Sequence, residues 1–242
     1  MIEEMLTPYV PERFLTDDRY RFGHIRILAP APGTRILGMH TPQMKLVAKQ
    51  LAAGHDKEMI LNGFSQAVSE GGPGALTHEE RMIWGLIIDA EKCSLEKRLE
   101  HIRDFVPSVD NWAICDNFCC NAKWVKRADR EFLWAYLSGL WDRPEEFPRR
   151  IGIVMSMCYY LTPEWKDRCL RRLQESGLQE GEPYYVRMGV AWLLATALAK
   201  DPDHTRRFLQ SARLPEDILK LYARKARESR ITSDMQPFLS EG

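Results

Sequence analysis

Residues 149–161 read RRIGIVMSMCYYL, and residues 186–198 read VRMGVAWLLATAL. Each is an apolar run long enough for a core helix, and Arg150 and Arg187 stand at matched points 37 residues apart. The runs REFLWAYLSGLW (130–141), EWKDRCLRRLQ (164–174) and HTRRFLQ (204–210) fall beside them as a looser second series. A helical hairpin of this length cannot bury its apolar face alone, so neighbouring hairpins must stack. The reading is an all-α chain, an α-solenoid of HEAT-like helical-hairpin repeats with a concave surface suited to an elongated ligand.

Working outward, helix signals recur and strand signals hardly appear. Residues 42–54 open with proline after Thr41 and end at Gly54, a sound start and stop pair. GGPGAL (71–76) reads as a loop, and Thr77-His78-Glu79-Glu80 as a capping box ahead of RMIWGLIIDAEKC. Further helices are predicted over 79–91, 95–105, 111–126, 129–141, 146–160, 163–175, 183–199, 203–211 and 214–227, with proline or glycine at most of the breaks. Residues 1–242 are expected to form a single solenoid domain, with a variable N-terminal segment (1–35), repeats over 36–231 and a tail over 232–242.

The chain of 242 residues is 45% hydrophobic and 28% charged, ordinary for a folded protein and unlike a disordered one. Net charge is zero, which argues against a strongly basic, non-specific nucleic-acid binder. Bases do concentrate locally, between Lys123 and Arg172 and again between Lys200 and Arg230, so a phosphate backbone has a place to bind. Solvated helix faces would give the same tally. The N-terminus lacks the apolar core of a signal peptide, and no apolar run approaches the ~18–20 residues of a membrane span. With no secretion signal, the six cysteines read as reduced thiols of an intracellular, cytoplasmic protein. Cys115, Cys119 and Cys120 have no further nearby ligand, and one helix cannot aim all three at a single ion, so no metal is expected. No phosphate-binding loop, dinucleotide glycine pattern or zinc-helix motif occurs, and no cofactor is expected. The six histidines are scattered, none paired with a motif serine or cysteine.

One short stretch carries chemistry. In Asn111-Trp112-Ala113-Ile114-Cys115-Asp116 the tryptophan and aspartate are spaced i, i+4, which on a helix puts both on one face about 5–6 Å apart at Cβ. An aromatic plate beside a carboxylate suits binding and chemistry on a cationic ring or sugar.

ILGMHTPQMKLVAKQLA (36–52), HEERMIWGLII (78–88), VDNWAICDNFCC (109–120), RRIGIVMSM (149–157), YYVRMGVAWLLATALAK (184–200) and KARESRI (225–231) follow one another in an order and spacing that resembles the DNA alkylation repair enzyme family, the AlkD-like HEAT-repeat glycosylases. The resemblance runs from about residue 14 to 235. It implies a right-handed solenoid gripping duplex DNA, and excision of cationic alkylpurines such as 3-methyladenine and 7-methylguanine. It places the family's catalytic cleft on four residues: the W-x-x-x-D pair on Trp112 and Asp116, the second tryptophan, which with Trp112 walls the cationic sugar or base, on Trp192, and the phosphate-binding arginine on Arg150. Arg149 is adjacent and can exchange roles, and Arg187 repeats the position of Arg150. Two departures are visible: Ala195 stands where some members carry a DNA-contacting arginine, and Asn111 where a further tryptophan precedes the pair. Tyr20 or Phe22 is the nearest match to the family's N-terminal aromatic contacts.

An alkylated purine already carries positive charge, so its glycosidic bond needs no general acid, and one carboxylate suffices to stabilise the sugar cation and steer a water. This reading makes the protein a monofunctional glycosylase acting as a monomer on alkylated duplex DNA. The plainer alternatives are a surface acid for Asp116, core packing for Trp112 and Trp192, and repeat-to-repeat ion pairs for Arg150 and Arg187. Together they describe a non-catalytic HEAT-like module that binds nucleic acid or protein.

Overall fold

The computed structural model describes residues 2–235, so residues 236–242 of the predicted tail lie outside the described residues. The described residues are helical with no strand among them, and they divide into two compact units, 2–128 and 129–235.

The first unit holds α1 (Glu3–Leu6), α2 (Glu12–Thr16), α3 (Asp18–Leu28), α4 (Thr41–Ala53), α5 (Lys57–Gly71), α6 (His78–Ala90), α7 (Leu95–Phe105) and α8 (Trp112–Asn121). Helices α4, α6 and α8 pack in succession, with α5 against α4 and α7, and α7 against α6. At the centre, α6 is buried at every residue from His78 to Ile88. Its apolar run packs into a ladder of rings, Phe64–Trp84–Phe105–Phe118, with centroid separations of 5.6, 5.6 and 5.0 Å that bind α5, α6, α7 and α8 together. Each such ring, fully buried, is worth about 1.5–3 kcal/mol relative to exposure.

The polar first turn of α6 is buried as well, and each side chain there has a partner, as burial demands. Both halves of the predicted capping box form: Glu80 N donates to Thr77 Oγ1 (3.2 Å) and Thr77 N to Glu80 Oε2 (2.9 Å). Glu79 accepts from the backbone N–H groups of Leu37 (2.9 Å) and Gly38 (2.8 Å), which fixes the loop entering α4. Burial raises the Glu79 carboxyl above its ordinary range, and those two donors pull against the shift.

The second unit holds α9 (Arg130–Leu140), α10 (Glu146–Tyr160), α11 (Lys166–Glu175), α12 (Tyr184–Lys200), α13 (Pro202–Ser211) and α14 (Glu216–Glu228). Here α10, α12 and α14 pack in succession, with α9 and α11 on α10 and α13 on α12. Trp134, Tyr160 and Trp165 form an aromatic cluster (centroids 4.9–5.8 Å apart), and the Arg130 and Arg168 guanidinium groups lie over its rings. Gly152 is required where α10 crosses α9, because a Cβ there would sit 2.9 Å from the Leu137 carbonyl oxygen. Several polar bonds join residues 35–39 positions apart in the chain. Arg168–Glu131 spans 37 residues, Lys200–Leu161 O 39, and in the first unit Trp124–Asp89 35.

The predicted helices are present, with additions and one shortening. Residues 3–6, 12–16, 18–28 and 57–71, not read as helices from sequence, form α1, α2, α3 and α5. The predicted 111–126 helix stops at Asn121, where Ala122 leaves helical geometry (ψ 55°), and 123–127 continues as a 3₁₀ turn. Among the described residues, no helix is long and apolar enough to cross a membrane.

Candidate active site

Helix α8 starts at Asn111, whose side-chain oxygen accepts from the backbone N–H of Ala113 (3.0 Å) and Ile114 (3.2 Å). This N-cap satisfies two donors that every helix start leaves open. Asn111 therefore has a structural task of its own. Asn111 is fully buried and held by a polar chain. Its amide donates to Asp110 (3.0 Å), Asp110 pairs with Arg81 (2.7 Å), and Arg81 also donates to the Ser108 carbonyl (3.0 Å). The start of α8 is thus tied to α6 by charge-assisted bonds.

From that cap, Ile114, Cys115, Phe118 and Cys119 turn inward and are buried, while Trp112 and Asp116 share the opposite, half-buried face. Cys120 is exposed, so the three cysteines do not converge. Trp112 and Asp116 line a cavity of about 240 Å³. Ala113 and Asn117 complete its α8 wall; α3 contributes His24 and Leu28, the α4 entry Met39, His40, Thr41 and Met44, and α6 His78 and Met82. Drug-sized ligands occupy roughly 300–1,000 Å³, so this space suits one ring or sugar rather than an extended cofactor.

The Trp112 indole N–H donates to the Ile27 carbonyl (3.1 Å), one of the acceptors left open at the end of α3. That bond anchors the aromatic plate. Asp116 is the only carboxylate among the lining residues, which include no Lys or Arg. Two histidines around it are held neutral near pH 7. Burial, then the Arg81 charge, push His78 down to about 4, and its Nδ1 stands 3.5 Å from the Asn111 amide nitrogen. Burial and the neighbouring His40 lower His24 as well. Tyr20 Oη lies 3.3 Å from His40 Nε2, so the aromatic anticipated near the N-terminus reaches a residue lining the cavity. No sequence motif marks His24, His40 or His78, because their neighbourhood exists only after α3, α4 and α6 have packed.

The remaining sequence-assigned residues stand in the second unit. Arg150 is buried, donates to the Tyr185 carbonyl (2.7 Å) and lies 5.7 Å from the Tyr185 ring centroid. Arg149 pairs with Glu182 (2.6 Å) and holds that carboxyl below its ordinary range. Arg187 donates to the Glu182 carbonyl (2.8 Å) and pairs with Asp217 (3.0 Å). These bonds knit α10, the 177–183 turn, α12 and α14. Trp192 is half-buried and lines a cavity of the second unit, about 280 Å³, together with Lys225.

Glu58, Glu91 and His101 bring ligand-type atoms within 4.8 Å of one another, but Lys57 reaches both carboxylates (3.2 and 3.0 Å) and already supplies the positive charge.

A family model described as DNA alkylation repair enzyme matches residues 21–232 of the chain. No curated protein and no solved structure matches it.

Proposed function

The chain belongs to the DNA alkylation repair enzyme family, and on that premise we propose that it is a monofunctional glycosylase releasing cationic alkylpurines such as 3-methyladenine and 7-methylguanine from duplex DNA. The observation that carries this reading is the single carboxylate of Asp116 beside the Trp112 indole in one small cavity. As the bond from C1′ to the cationic base breaks, its electron pair leaves with the base and positive charge moves to the sugar. Asp116 stabilises that charge and takes a proton from the attacking water. The indole face adds cation–π attraction of about 0.5–2 kcal/mol. Neutral His24 and His78 matter here, because an imidazolium beside Asp116 would weaken its field at the sugar. Trp192 is proposed as the second aromatic wall for the cationic sugar or base, and Arg150, with Arg149 and Arg187, as DNA contacts; for the arginines this requires giving up or sharing the bonds described above.

That requirement, with the zero net charge, is what favours the second reading, a non-catalytic module binding nucleic acid or protein. The test is base release from methylated duplex DNA by wild type and Asp116→Asn. The glycosylase reading expects at least a 100-fold loss in the variant, with DNA binding and folding intact. No release by a folded, DNA-binding wild type moves the conclusion to the binding module.

A further inference from the structure

We propose that His78 holds the attacking water against Asp116, donating through Nε2–H to the water oxygen, with Asn111 deciding which ring nitrogen carries the hydrogen. The proposal deepens the glycosylase reading and rests on it; the resemblance gives neither residue a part in the chemistry.

His78 is 2% exposed, yet it lines the cavity of about 240 Å³ together with Trp112 and Asp116. Its backbone N–H donates to the Arg35 carbonyl (2.9 Å), which fixes the residue at the first position of α6. The two nitrogens of an imidazole point apart. Nδ1 turns to the Asn111 amide nitrogen (3.5 Å). Asn111 does not line the cavity, so the edge of the ring that faces it is the one bearing Nε2. Nε2 has no partner among the described residues, and it is not sealed in as Nε2 of the buried His101 is.

A neutral imidazole carries one N–H, and its neighbours decide where. The Asn111 oxygen accepts from the N–H groups of Ala113 and Ile114, which forbids the flipped amide. One amide hydrogen goes to Asp110 (3.0 Å), and the other is left toward His78. Were Nδ1 protonated, two N–H groups would face each other, so Nδ1 accepts and Nε2 carries the hydrogen. Burial and the Arg81 charge keep the ring neutral. His40 differs: its Nε2 faces the Tyr20 hydroxyl (3.3 Å), which can donate or accept and dictates no tautomer.

One carboxylate and one fixed donor give a water a defined orientation, and a water takes about 30 Å³, which leaves room for a sugar beside it. The water gives a hydrogen to Asp116, accepts from Nε2–H and keeps a lone pair for C1′. As the base departs with the electron pair of the glycosidic bond, the water oxygen bonds to C1′ and its proton passes to Asp116.

The experiment has two readouts. Long-range nitrogen-15 correlation spectra of the free protein, with His78 assigned by loss of its signal in His78→Gln, should show the Nε2–H tautomer. Asn111→Ser keeps an N-cap hydroxyl but withdraws the amide, and should shift His78 toward a mixture and slow base release several-fold. Single-turnover release from methylated duplex DNA should fall about tenfold in His78→Met, the worth of one neutral hydrogen bond. His78→Gln, whose amide nitrogen reaches near the place of Nε2, should restore most of the rate. Duplex affinity should be unchanged in both. An Nδ1–H tautomer in the wild type overturns the proposal, as do wild-type rates in His78→Met and His78→Gln alike with both folded by circular dichroism. If Asp116→Asn abolishes release and His78→Met does not slow it, this proposal falls and the glycosylase reading stands. No release by the wild type sinks both.

Discussion

Gly38→Ala should unfold the first unit's cavity far more readily than its single methyl group implies. Gly38 has φ +90°, and a Cβ built there would lie 2.2–2.5 Å from Cγ, Cδ1 and Cδ2 of Phe14. Phe14 is itself buried (4% exposed) and cannot swing aside. Left-handed backbone strain costs about 1–3 kcal/mol, and forcing a methyl into a filled site about 1–3 more, giving ~2–6 kcal/mol in all. Gly33 is the control: its φ is +82°, but nothing lies within 4 Å of the added Cβ, so Gly33→Ala carries the strain alone. Urea unfolding followed by tryptophan fluorescence separates the two, at slopes of roughly 1–3 kcal/mol per M. The Gly38 variant should lose ~1–3 kcal/mol more than the Gly33 variant, and base release should fall with it. His40 follows two residues after Gly38, whose N–H is pinned by Glu79. Equal losses for the two variants would refute the close packing of Phe14 on this turn and the argument that it sets the entry to α4.

Glu91→Gln tests the ion network under α6. Burial alone would raise this carboxyl, but hydrogen bonds and charge from His101 and Lys57 outweigh it and hold it at about 2, against 4.5 when unfolded. A depressed folded value stabilises above pH 4.5, so the wild type should exceed the variant by about 3 kcal/mol at pH 7. The gap should close as pH falls from 4.5 toward 2, read by urea titrations at pH 7, 4.5 and 3; a gap independent of pH would assign the effect to packing. Asn111→Ala should cost about 1–2 kcal/mol in thermal stability through the lost N-cap and lower base release through fraying of the turn that carries Trp112. Unchanged melting would show that Asn111 does not start α8.

The α6 boundary was legible because its signals are local: Thr77 and Glu80 announce the cap, and the apolar run behind them can only be core. Helix α5 was hidden because it follows Gly54, contains Gly63 and has no side-chain cap at Asp56. Helix α3 has no fully buried residue, so it lacks the apolar stripe that marks a helix in sequence. At the site, the Trp112–Asp116 pair follows from i, i+4 spacing, whereas the histidines opposite it arrive from three separate helical segments. The pairing of the C-terminal arginines was the least legible part. Arg149, Arg168, Arg172 and Arg187 look unpaired along the chain, yet Glu182, Glu131, Asp142 and Asp217 meet them from 30–37 residues away. A tally of neighbours in sequence cannot see partners that distant.

The bond from Trp112 to the Ile27 carbonyl has a consequence for how this protein can change. The carboxylate rides on α8, locked to α6 by a buried polar chain, while the wall facing it includes α3, a helix with no buried residue of its own. Chemistry and admission are therefore held by parts with different tolerance for mutation. Substitutions along α3 can reshape what enters the cavity while the acid stays in place; under the glycosylase reading proposed above, relatives of this chain can then diverge in the lesions they accept before the carboxylate's surroundings change.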